Sequence, residues 1–194
     1  MSNGFRLITG SRPLTTVYMQ QLLVRLAVRG PVRWLMCGKY VDLQSIFYGV
    51  VQQAKEDYQA VLKKNIIVAR AETCYGVVAL LRKTEAAQTP TIITDMLLSF
   101  YDDGVREDEA IELLNEGLGA LKQLSRGGPV IVSASSHNER AQLFASLSQE
   151  AKDTSTIREI SDMGHTTLPM TQRFRNEGAY FGGFRKALLS RRDQ

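Results

Sequence analysis

Residues 90–135 read PTIITDMLLSFYDDGVREDEAIELLNEGLGALKQLSRGGPVIVSAS, and this stretch decides the fold. Thr91 to Thr94 is a short run of β-favouring residues that ends on Asp95, and Met96 to Gly104 leaves it as a turn-bearing loop. A buried strand therefore delivers a carboxylate to a sheet edge. Ile111, Leu114, Leu118 and Leu121 then recur at helical spacing. Glu107, Asp108 and Glu109 stand in the first turn, and Lys122 and Arg126 in the last, where each sign suits the helix dipole. Gly127-Gly128 stops that helix, and Pro129 to Ser133 is a second apolar run suited to a strand covered on both faces. Strand, helix, strand predicts a right-handed parallel unit.

The same alternation extends back to the amino end. Phe5 to Thr9 reads as a strand, Gly10-Ser11-Arg12-Pro13 as a turn, and Leu14 to Arg29 as a helix closed by Gly30-Pro31. Val32 to Cys37 is a strand, and Asp42 caps a helix from Leu43 to about Leu62. Ile66 to Ala69 is a strand and Thr73 to about Ala86 a helix, with Val77, Leu80 and Leu81 facing inward. Beyond Ser135 a helix is expected from Asn138 to about Lys152, and a half-exposed strand from Thr156 to Ile160. Short strands or a hairpin follow at Gly164–Arg173 and Ala179–Gly183, and a short basic helix at Phe184–Arg192. The pattern predicts an α/β domain with a largely parallel central sheet, helices on both faces and a short mixed strand region near the carboxyl end. One domain over 1–194 is expected, with a parallel core in 1–152 and C-terminal strands and a basic tail in 153–194.

Length and composition agree: 194 residues with 44% apolar content suffice for a full core. No apolar run is long enough for a membrane span and no signal-peptide pattern opens the chain, so a cytoplasmic protein without membrane contact is expected. Cys37 and Cys74 have no metal-ligand spacing and read as reduced structural thiols. Of 24 Lys+Arg and 20 Asp+Glu, six cations and two anions lie in residues 170–194, so the rest of the chain is balanced and the whole net charge of +4 belongs to the tail. Arg173, Arg175, Arg185, Lys186, Arg191 and Arg192 could attract a polyanion, and Phe174, Tyr180, Phe181 and Phe184 could stack on bases; a solvated terminal helix or a covered sheet edge explains them equally well.

Three segments resemble the RecA-type recombinase and ATPase family, which includes RadA and KaiC-like proteins. Asn65 to Ala71 is similar to the strand ending in Arg-Ala of the RadA branch. Thr91 to Asp95, with Ser99-Phe100-Tyr101 downstream, resembles the Walker B strand and the approach to the first DNA-binding loop. The helix before Gly127-Gly128 runs into Pro129 to Ser133 where the family has its sensor strand. The resemblance implies a three-layer RecA-like fold in which the strand before the phosphate loop lies beside the sensor strand, with nucleotide at the carboxyl edge. It implies ATP with magnesium on Asp95, a phosphate loop at Gly10, Ser11, Arg12, Thr15 and Thr16, and DNA contacts at His137, Asn138 and Arg140 besides the basic tail.

The chain departs from that pattern where the chemistry sits. A phosphate loop needs glycines that let N–H groups approach the phosphates, a Lys on the terminal phosphate and a hydroxyl on the metal. Gly10 to Thr16 keeps one Gly and the hydroxyls but lacks the Lys and the second Gly. Arg12 reads as a substitute charge or as a surface arginine. Cys37-Gly38-Lys39-Tyr40 holds no polarising acid, leaving Glu72 as the nearest stand-in. Ser133-Ala134-Ser135 replaces the sensor amide. Loss of the Lys and the acid removes the main sources of charge stabilisation, so little or no hydrolysis is expected. The expectation is a degenerate RecA-like accessory protein of recombination or repair that binds DNA or a RecA-like subunit, including a second copy of itself. A weak ATPase using Asp95, and a structural subunit whose nucleotide edge is filled by Arg12 and Tyr40, are the alternatives.

Overall fold

The computed structural model describes residues 4–38 and 42–158. Among these residues six strands form a single all-parallel sheet in the order β3-β2-β4-β5-β1-β6. They are β1 (Arg6–Gly10), β2 (Val32–Cys37), β3 (Ile66–Ala71), β4 (Thr91–Thr94), β5 (Val130–Ser133) and β6 (Asp153–Ile157). The helices are α1 (Arg12–Arg29), α2 (Leu43–Ala54), a single turn α3 (Tyr58–Ala60), α4 (Cys74–Lys83), α5 (Glu107–Gly127) and α6 (Ala141–Glu150).

Strands β1 to β5 point alternate residues into two separate cores, as their period of two requires. Ile8, Trp34, Met36 and Ile92 meet Met19, Leu23, Ile46 and Phe47 of α1 and α2 on one face. Leu7, Leu35, Ile93 and Val132 meet Val77, Leu81, Leu121 and Leu143 of α4, α5 and α6 on the other. This is the three-layer α/β architecture, a parallel sheet with helices on both faces, that the alternation predicts. Trp34, the sole tryptophan, is 2% exposed and its indole N–H donates to Thr94 Oγ1 at 3.2 Å, tying β2 to β4 across the first core.

The unit β4-α5-β5 is present as expected, with Thr91 to Ile93 in register with Val130 to Val132. Gly127 and Gly128 end α5 where it passes against the backbone of Ala86 to Gln88. A Cβ at either would lie 2.4 Å from a backbone atom, which only glycine avoids. Asp42 caps α2 by accepting from the N–H groups of Gln44 and Ser45.

Several boundaries differ from the sequence expectation. Arg12 and Pro13 belong to the first turn of α1 and not to a preceding turn, because Pro fits an early helical position where its missing N–H goes unused. The helix expected through Leu62 breaks at Lys55, whose φ is 48°, and continues as a 3-10 turn, α3 and a π turn to Asn65. Helix α4 stops at Lys83. The loop after β4 winds into a 3-10 turn at Leu98–Tyr101, and another at Asn138–Arg140 precedes α6. Strand β6 begins at Asp153, three residues before the expected start, and joins the main sheet beside β1. Arg6–Asp153 at 2.9 Å and Thr9–Thr156 at 2.9 Å hold it there. The expected segments at Gly164–Arg173, Ala179–Gly183 and Phe184–Arg192 lie outside the described residues.

Candidate functional site

Helix α1 crosses β5 and β4 on the first face to reach β2, whereas α6, which follows β5, packs on the second face. The connections leaving β1 and β5 therefore part in opposite directions at their carboxyl ends. Such a switch point is where open α/β sheets place their ligands. Strand β1 does lie beside β5, with Leu7 opposite Val132 and Ile8 opposite Ser133.

Gly10, Ser11, Arg12 and Asp95 meet at this edge. Asp95 follows β4 in the left-handed region, φ 54°, a conformation that Asp tolerates better than most residues. Its N–H donates to Ser133 Oγ at 3.0 Å, and the next N–H, of Met96, donates to Ser133 O at 3.0 Å. Ser133 thus fixes the backbone that carries the carboxylate. The Arg12 guanidinium arrives over the end of β5, with Nε 3.4 Å from Asp95 Oδ2. Burial pushes the Asp95 carboxyl above its ordinary range, and Arg12 pulls it partly back. Beside it, the buried Cys37 thiol is pushed up to about 12 by burial, with the Asp95 charge adding to the effect.

The phosphate-loop expectation meets a different geometry. Only Ser11 separates β1 from α1, so no loop encircles a phosphate there. Gly10 has φ 147°, and a Cβ on it would lie 2.4 Å from Ile157 O; this glycine makes room for β6. Thr15 is fully buried, and its hydroxyl is placed to donate to Ser11 O (3.3 Å) and Arg12 O (3.1 Å). Thr16 is half-buried on the same helix. Ser135 Oγ donates to Gly10 O at 3.3 Å, closing the seam between β5 and β1. With Asp95 facing a guanidinium and Thr15 turned back on its own helix, these residues do not fit a magnesium–nucleotide complex.

Glu72, the candidate base, lies past β3, two strands from Asp95, and pairs with Arg70 at 3.2 Å. Strands are spaced about 4.8 Å apart, which puts it roughly 10 Å across the sheet from Asp95. Arg70 also donates to Gly38 O at 3.0 Å. Gly38 sits at φ 131°, with Leu98 so close that a Cβ would be 2.7 Å away. Tyr40 lies outside the described residues.

The expected DNA contacts divide. His137 is exposed, and its ring lies 5.1 Å from that of Tyr101 at a 31° tilt. Asn138 begins the 3-10 turn after it. Arg140 is directed inward to backbone carbonyls of the loop after β4. The surrounding surface carries the exposed Asp102, Asp103, Glu107 and Asp108 and the half-buried Glu109, with Arg106 bound to Asp108 at 2.6 Å. Such a surface repels phosphates. The tail cations from Arg173 to Arg192 lie outside the described residues. Among the described residues no group of three or more His, Cys, Asp or Glu is arranged to hold a metal, and no helix is long and apolar enough to cross a membrane.

Sequence reasoning missed the roles of Ser133 and Cys37 beside Asp95. Their places at the ends of two apolar strand runs were the available signal. No protein-family model matches the chain, and no curated protein matches it.

Proposed function

We propose that this chain is a degenerate RecA-like domain, a non-hydrolysing accessory protein of DNA recombination or repair that acts by binding nucleic acid or a partner subunit. The observation that carries the loss of hydrolysis is Arg12 over Asp95, above a one-residue β1–α1 connection. A catalytic metal site requires a carboxylate open to the cation. Here the Arg12 guanidinium faces that carboxylate, and among the described residues nothing replaces the missing Lys or polarising acid. The kinship is supported by the three sequence segments and by the adjacency of β1 and β5.

Nucleic-acid binding in this reading belongs to the basic tail, since the loop after β4 and the first turn of α5 are acidic. The test is fluorescence anisotropy of labelled single-stranded and double-stranded DNA at about 50 and 200 mM salt. The reading expects binding that falls steeply with salt and disappears when the six tail cations from Arg173 to Arg192 are changed together to Gln. The acidic edge favours one second reading, a subunit that engages only protein. Absence of DNA binding at both salt concentrations would select it.

A further inference from the structure

We infer that the loops following β4 and β5 form one preformed unit at the carboxyl edge, with Arg140 as its strut. The first loop, residues 95–106, is anchored below by Met96, Leu97 and Phe100, each no more than 1% exposed. Above that anchor the backbone must turn to reach α5, and this leaves carbonyls pointing away from any strand or helix. Arg140 takes two of them. Its guanidinium donates to Phe100 O at 2.6 Å and to Val105 O at 2.7 Å, spanning the turn through Asp102 and Gly104. A planar fork with fixed N–H directions can bridge two acceptors in this way, whereas an ammonium cannot hold the same span.

The second loop, residues 134–140, is joined to the first at a separate point. Tyr101 Oη donates to Ser135 O at 2.9 Å, and the Tyr101 ring packs on His137. Two links, one through Phe100 and Val105 and one through Tyr101, thus join the first loop to the second. Opening either loop alone breaks the hydrogen bonds between them, two of them charge-assisted, so the two move together or stay put. Arg140 is accordingly a positioning residue and not a free cation for a phosphate. This inference does not depend on what the edge binds.

Hydrogen exchange on the full chain tests it. Hydrogen bonds from a charged donor are among the stronger ones in proteins. Arg140→Ala should therefore speed exchange about tenfold or more in residues 98–106 and in 134–137, with β4 and β5 unchanged. Arg140→Lys should resemble Arg140→Ala. Tyr101→Phe, which removes one hydroxyl and keeps the ring, should loosen both segments by a smaller factor and keeps the test open if the Arg140 variants do not fold. Loosening of one loop alone, no loosening, or full protection restored by Lys would overturn the inference.

Discussion

Arg12 and Asp95, 83 residues apart in sequence, meet across the end of β5 with Nε 3.4 Å from Oδ2. The contact links the start of α1 to the end of β4 at the switch point of the sheet. It is long for a charged pair, and the arginine is 44% exposed, so its contribution to stability is small, about 0–1 kcal/mol. Its importance is chemical: it sets a guanidinium against the carboxylate that a metal would need.

The first prediction concerns Asp95 and pH. Burial raises its folded pKa above the unfolded value. Its contribution is then most favourable below the unfolded pKa and is lost as pH rises through the folded one. At neutral pH the ionised carboxylate costs stability. Asp95→Asn keeps the left-handed backbone and the N–H to Ser133, and should melt at a higher temperature than the parent at pH 7, with the gap closing as pH falls into the ordinary carboxylate range. A lower melting temperature at pH 7 would mean that the Arg12 pair outweighs burial.

The second concerns Gly10. Gly10→Ala combines a positive φ with a contact to Ile157 O that no Cβ can make. A loss of roughly 2 kcal/mol or more in urea unfolding is expected, with exchange rising first in β6. Mild destabilisation with β6 protected would show that the strand does not need this glycine.

The third concerns Thr15. Its hydroxyl is spent on Ser11 O and Arg12 O inside the protein. Thr15→Val should cost about 1 kcal/mol by denaturant titration and leave any response to nucleotide unchanged. A nucleotide effect that vanishes in this variant would return Thr15 to the ligand.

The fourth concerns the thiols. Cys37 and Cys74 are buried at 3% and 1% exposure, and the Cys37 thiol is pushed up to about 12. Neither should react with an aromatic disulfide reagent at pH 8 in the native protein, and both should react in denaturant. Rapid labelling of one native thiol would indicate an opening at that end of the sheet.

Local signals carried most of the fold. Asp42 before Leu43 identified a cap, and the apolar stripe from Ile111 to Leu121 with its flanking charges identified α5 and the parallel pair around it. The break at Lys55 was not legible, since helical periodicity runs through it and a positive φ at Lys leaves no compositional mark. The Arg12–Asp95 contact was beyond local reading, because a single sequence does not report partners 83 residues apart. Arg140 read as a binding cation because sequence shows a charge and not the two carbonyls it turns to.

The measurement that bears most directly on the account is equilibrium titration of the full chain with fluorescent ATP and ADP, with and without magnesium. No saturable binding is expected up to about 1 mM. Magnesium-dependent saturation lost in Asp95→Asn would contradict the account and restore Asp95 as a metal ligand.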